Sequence, residues 1–273
     1  MSNAVHFSAN SLEISRSILS LRAREIYFST RSDLAVEGED FRIFIQAGCS
    51  LPNAHKFHSS VVNLVPEISE LEALVKKGTL AEVRRAASKD EVSTRVFDAP
   101  SAADIRMVVA FYDAFARSRH LSPANEKKMR ALAKNGALVM SVSYAKALPT
   151  AWLSAHVYIV DGIRSRLLYS ASCDPASVSG NRQLIGRANK LLHWQMIHYF
   201  RGAGFQLYDF GGISMGENLR TIDEFKQSFG GAATVEFNAM VGISLRGKVF
   251  VWLYRQYVAS QQKARQIVAR LRG

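Results

Sequence analysis

The stretch LYDFGGISMGENLRTIDEFKQSFGG, Leu207 to Gly231, sets the reading of the whole chain. It holds two Gly-Gly steps, an Asp between two aromatic residues (Tyr208-Asp209-Phe210), and a lone Lys, Lys226, beside Phe225 and three residues before Phe229. Glycine inside a regular element costs about 0.5–1 kcal/mol relative to alanine. Two di-glycine steps therefore point to backbone that must turn tightly or approach another group closely. A cation set among aromatic rings suits an enclosed site, where charge acts more strongly than in water. The plainer reading is a surface Lys226 whose stem lies along Phe225 and Phe229, an Asp209 that caps a turn, and glycines that serve packing.

Upstream of this stretch, FQLYDF reads as a short strand. Before it, Gly186 to Phe200 reads as a helix with Leu191, Trp194, Ile197 and Phe200 along one face, closed by RGAG. GALVMSVSY and TAWLSAHVYIV read as central strands, and Asp161-Gly162 signals an antiparallel hairpin into IRSRLLYSAS. Further back, SELEALVKKGTLAEVRRAASKD and PSAADIRMVVAFYDAFARSRHLSP carry helical periodicity, the second from a Ser/Asp-rich start to a stop before Pro123. In residues 1–57, REIYF and FRIFIQA are strand-like. Downstream, a helix is expected from near Thr221, then strands ATVEFNAMVGISL and KVFVWLY, then a basic terminal helix. The order describes a mixed α/β fold, too interrupted for a regular doubly wound sheet.

The loop CDPASVSGNRQ leads into QLIGRA, Gln183 to Ala188, between a strand and a helix. There Gly186 would let the backbone approach a pyrophosphate, with first-turn amides and the helix dipole holding the anion and Arg182 and Arg187 flanking it. Equally, Gly186 could be an ordinary loop residue before a helix. His193 and His198 stand five apart rather than four, so they do not form a helical metal pair and receive no role. No metal site is expected.

The 273 residues are 48% hydrophobic, ample for a packed core. Cys49 and Cys173 have neither disulfide-framework nor zinc-knuckle spacing, the N-terminus lacks a signal-peptide layout, and no apolar run is long enough to span a bilayer. A cytoplasmic location is expected. Thirty-five Lys and Arg against twenty-three Asp and Glu leave +12, which favours phosphate-bearing partners: RNA, a phosphorylated co-substrate or an anionic membrane. No compact module for sequence-specific DNA or RNA reading is visible.

The QLIGRA segment resembles the Q/R-x-x-G-x-G/A acyl-CoA loop of the GNAT acyltransferases, through Gln183, Gly186 and Ala188. NKLLHWQMIHYFRGAGFQLYDFGGIS followed by IDEFKQSFGG is similar to the signature of the FemABX aminoacyltransferases and their FemAB-like or BioF2-like GNAT relatives, over roughly residues 58–240. The resemblance implies an α/β fold with a GNAT-like mixed, mostly antiparallel central sheet flanked by helices. It implies N-acyl transfer from a thioester, acyl-CoA or acyl-carrier protein, to an amine on a small molecule, a cell-envelope saccharide or a peptidoglycan precursor. Phe225 and Lys226 match the family's Phe-Lys pair, with the Lys stabilising developing charge, and Tyr208 and Asp209 match its Tyr-Asp pair, which would position the acceptor amine or hold the turn.

The bridge-forming members usually carry two GNAT-like halves, whereas about 100 residues precede the readable half here, short of an ordinary domain. This weakens aminoacyl-tRNA as donor and favours a thioester. The expected organisation is an N-terminal strand-containing segment (1–57), the acyltransferase domain (58–255) and a basic C-terminal helix (256–273). That helix either packs on the sheet or makes a peripheral membrane or RNA contact; the last would make the chain a non-catalytic binding module.

Overall fold

The structure is a computed structural model and describes residues 11–30, 38–178, 180–213 and 220–272. The elements run β1 (Leu12–Ile18), β2 (Leu21–Tyr27), β3 (Phe41–Ala47), β4 (His55–Asn63), α1 (Ile68–Leu74), α2 (Lys77–Ser88), β5 (Val92–Phe97), α3 (Ala102–Ser118) and α4 (Glu126–Lys134). They continue with β6 (Leu138–Ala145), β7 (Trp152–Val160), β8 (Arg164–Ser172), a short 3-10 turn (Pro175–Val178), α5 (Arg182–Gly202), β9 (Leu207–Gly212), α6 (Arg220–Gln227), β10 (Ala232–Gly242) and α7 (Leu245–Arg272). The fold is mixed α/β with mostly antiparallel strand pairs, as expected. The chain divides into two compact units, residues 58–234 and residues 1–57 together with 235–273.

In the 58–234 unit the strand order is β4-β9-β8-β7-β6-β5. Only β8 and β9 are parallel, which requires a crossover, and α5 supplies it. Strands β6 and β7 are central, and their near-continuous apolar runs are covered on both faces. The β7–β8 hairpin turns at Asp161, whose carboxylate accepts from the Ile163 and Arg164 amides, with Gly162 at φ 89°. Leu191, Leu192, Met196, Ile197 and Phe200 of α5 pack with Tyr158, Tyr208, Phe210 and Phe229, each fully buried apolar side chain contributing about 1.5–3 kcal/mol. Helix α3 begins with a capping box: the Asp104 amide donates to the Ser101 hydroxyl at 3.2 Å and the Ser101 amide to the Asp104 carboxylate at 2.8 Å.

The other unit orders its strands β1-β2-β3-β10. Here β2 and β3 are parallel and the remaining pairs antiparallel.

Three expectations need correction. KVFVWLY is not a strand, because Lys248 to Tyr254 lie within α7. The Ser244 hydroxyl accepts from the Gly247 amide at the start of that helix, and helical spacing turns Gly247, Val251 and Arg255 inward. A Cβ on Gly247 would lie 1.6 Å from the Asp40 carbonyl oxygen, so glycine allows this close approach. Next, α5 begins at Arg182 rather than Gly186, because the Asn181 side chain caps it by accepting from the Leu184 amide at 3.0 Å. Finally, Val92–Phe97, absent from the sequence reading, is a strand at the sheet edge whose mixed exposure gives no clean alternation.

Candidate active site

Strands β8 and β9 pair over three residues only, Arg164–Arg166 against Leu207–Asp209. Beyond them β8 runs on beside β7 to Ser172, while β9, paired with β4 from Leu207, stays beside β4 as far as Gly212. Neighbouring parallel strands that part at their carboxyl ends, with the crossover helix starting beside them, leave a crevice of the kind in which α/β sheets bind ligands. Gly211 stands there at φ 75°, its amide donating to Asp209 Oδ1 at 2.7 Å, and a Cβ on it would meet the Leu167 carbonyl oxygen at 3.2 Å.

Lys226, in the last turn of α6, donates from its ammonium to the Gly212 carbonyl at the end of β9. Burial holds its pKa below the usual lysine range; Asp223 and Asp209 oppose that effect, and Arg166 adds to it. Phe225 packs its ring 5.4 Å from both His193 and Phe229. The second Gly-Gly step serves the fold. Gly230 turns at φ 80° with Leu74 2.7 Å from where its Cβ would be, and a Cβ on Gly231 would clash with Ser60.

Tyr208 and Asp209 are both buried and face different partners. Asp209 Oδ2 accepts from Arg164 Nη2 at 2.7 Å and Nε at 3.1 Å, a two-pronged ion pair with both side chains out of water. Asp209 thereby ties β9 to β8 and holds the Gly211 turn. Tyr208 instead joins a closed polar network absent from the sequence reading. Asn189 Oδ1 can only accept, so His156 Nε2 donates to it at 2.8 Å, and His156 Nδ1 must accept the Tyr158 hydroxyl at 2.9 Å. The Tyr158 oxygen then accepts from Tyr208 at 2.9 Å, and the Tyr208 oxygen accepts from His193 Nδ1 at 2.7 Å. This proton order leaves His193 Nε2 as a lone pair.

The two imidazole rings lie 4.1 Å apart and both are neutral. Burial lowers the His156 pKa to about 4, and burial, His156 and Lys226 together hold His193 well below its ordinary value. The signal for this network was present in the sequence. His156-x-Tyr158 in a strand puts both side chains on one sheet face, and Asn189-x-x-x-His193 in a helix puts both on one helix face.

An open groove of about 820 Å³ runs along the start of α5, beside α3 and the end of β8. Arg182 and Gly186 line it, together with Arg119, Phe115, Cys173 and Ser177. Ile185 lines it as well, but the remaining residues of QLIGRA do not. Arg187 is buried against Asp90, its Nε 2.5 Å from the carboxylate; Ala188 is packed in the core; and Gln183 is exposed outside the groove. Arg119, missed in the sequence, supplies the second guanidinium. It follows α3 directly and reaches the groove only through the packing of α3 on β8.

A mixed sheet with parted parallel strands, a crossover helix opening on a groove and a lysine at the strand end define an acyltransferase-type fold. The chain belongs to the acetyltransferase (GNAT) domain family, whose sequence model matches residues 75–227, more than half of its length. Among solved structures, FemX superposes with a TM-score of 0.53 at 14% identity, covering 66% of this chain and 61% of FemX. The chain thus spans about three fifths of FemX, and the likeness is one of fold. L-PGS from Bacillus licheniformis aligns at 12% identity over 80% of this chain and 73% of its own, with a TM-score of 0.48. No curated protein matches the sequence.

Proposed function

We propose that the chain transfers an acyl group from a thioester, acyl-CoA or acyl-carrier protein, to an amine. The observation that carries the donor reading is Gly186. It is the fifth residue of α5 and lines the groove, and a Cβ there would meet nothing within 4 Å. The fold gains nothing from a glycine that costs about 0.8–1.0 kcal/mol in a helix interior. Close approach by a ligand accounts for it. Arg119 and Arg182 on the same groove would hold a diphosphate, and its volume is in the range of small-molecule sites.

The acyl end would then reach the crevice between β8 and β9. There the amine attacks the thioester carbonyl, the C–N bond forms, the C–S bond breaks, and the thiol departs with the amine's proton. Lys226, partly desolvated at the end of β9, would stabilise the negative charge that builds on the carbonyl oxygen. Tyr208 and Asp209 act from below this floor: Asp209 fixes the Gly211 turn and Tyr208 ties β9 to α5 through His193. The likeness to the FemABX group supports a cell-envelope saccharide or a peptidoglycan precursor as the amine's carrier.

Calorimetric titration with acetyl-CoA, a long-chain acyl-CoA, acyl-carrier protein and aminoacyl-tRNA tests the donor. Thioester binding should weaken about tenfold or more, 1.4 kcal/mol, in Arg182→Glu. Binding of aminoacyl-tRNA alone would move the donor to that class, and binding of none of the four would overturn the reading.

A further inference from the structure

Helix α7 presents an apolar face to solvent. Leu245, Val249, Trp252, Leu253 and Tyr257 are 79%, 51%, 59%, 53% and 60% exposed. At 100° per residue they fall on one arc of the helix, while Gly247, Val251 and Arg255 turn the other way and Phe250, at the edge of the arc, sets its ring 4.8 Å from Phe41. Arg246 and Lys248 are both exposed; helical spacing sets Arg246 within the arc, between Leu253 and Tyr257, and Lys248 at its border beside Trp252. From Leu245 to Arg272 the sequence carries seven Lys or Arg and no Asp or Glu.

We propose that α7 is an interfacial helix that docks the protein on an anionic lipid surface. The occupant follows from the pairing of two features. A nucleic acid would match the cations and leave Leu245, Val249 and Leu253 with nothing apolar to bury against. A second copy would match the apolar arc but set seven cations against seven, with no carboxylate on either helix to offset them. A bilayer rich in acidic headgroups satisfies both, with acyl chains for the apolar side chains and headgroup phosphates for the cations within and beside the arc. Trp252 and Tyr257 have the amphipathic rings that settle at headgroup depth. No described helix is long and apolar enough to cross a membrane, so the mode is lying on the surface. This placement would bring an acyltransferase to amines held at that surface, but it does not depend on the identity of the donor.

The test is co-sedimentation of the full chain with vesicles of phosphatidylcholine alone or with one-third phosphatidylglycerol, at low and high salt. The expected result is binding to the anionic vesicles only, weakened by salt. Trp252→Glu with Leu253→Glu, and separately Arg246→Glu with Lys248→Glu, should each reduce the bound fraction about tenfold. A second readout needs no variant. Trp194 is buried and Trp152 half-buried, so a blue shift of tryptophan emission on adding anionic vesicles reports mainly Trp252 entering the interface. The proposal is overturned if the wild type stays in the supernatant with anionic vesicles at low salt and its emission does not move. It is equally overturned if folded variants bind as the wild type does, if light scattering shows a dimer that Trp252→Glu dissociates without any vesicle binding, or if RNA is retained and lipid is not.

Discussion

Replacing Gly186 by alanine should make the protein more stable and a poorer binder of its donor. The site lies inside α5, its backbone is not left-handed, and an added methyl meets nothing within 4 Å. Stability should therefore rise by the ordinary helix-interior difference, about 0.8–1.0 kcal/mol. For a chain of this size that is roughly 2–4 °C in Tm. The same methyl projects where a donor is to approach, and crowding a packed contact costs about 1–3 kcal/mol, roughly five- to 150-fold in Kd. Urea denaturation and calorimetric titration with acyl-CoA on one preparation read both quantities. A variant that is more stable but binds as tightly as the wild type would show that the donor does not lie against Gly186. A destabilised variant would show that the glycine is a need of the fold, which removes the ground for a ligand there.

Three further outcomes follow from the buried groups. Asp209→Ala leaves the Arg164 guanidinium buried without its carboxylate and should cost about 3–5 kcal/mol in urea denaturation; unchanged stability with lost turnover would instead make Asp209 a substrate-contacting residue. Burial keeps His156 neutral in the folded chain down to about 4, whereas the unfolded chain protonates it near 6.5, so within that window the unfolded state binds more protons. Stability should fall as pH drops through the window, by up to about 1.4 kcal/mol per pH unit for this residue, and urea midpoints of His156→Gln should show a flatter slope. Lys226→Ala should lower thiol release roughly a hundredfold while changing stability by less than about 1 kcal/mol, and turnover within twofold of wild type would end its assigned role.

Much of the architecture could be read from local pattern. FRIFIQA matches β3 residue for residue, the β7–β8 hairpin was announced by Asp161-Gly162, and the apolar stripe of α5 was visible from Leu191 to Phe200. These elements bury one face or both, so burial writes itself into the spacing of apolar residues. β1 and β5 escaped because partly exposed strands carry weak alternation. α7 was misread at its start because Val249 to Tyr254 is dense in β-branched and aromatic residues, a composition that favours strands until a neighbour overrides it. The close fit of Gly247 on Asp40 is such a neighbour, and nothing near it in sequence reveals it.

The candidate site divides along the same line. Glycines, the Tyr-Asp pair and the Phe-Lys pair stood out in one dimension because their residue types are unusual for an ordinary core. Their roles did not, because a role depends on what lies opposite. Arg182, just before QLIGRA, and Arg187, within it, look alike in sequence, yet helical geometry turns Arg187 into an ion pair with Asp90 and leaves Arg182 on the groove beside Arg119. Asp209 could be read as positioning an acceptor amine or holding a turn until Arg164, one strand away, was seen to bond its Oδ2 and the Gly211 amide its Oδ1. His156 and His193, 37 positions apart in the chain, become ring neighbours only when α5 packs on β7. Composition and periodicity were enough for the well-buried elements, because burial acts on each residue where it stands. Which side chains are buried together, and therefore which protons and charges they keep, is a property of contacts between distant segments and had to come from the folded chain.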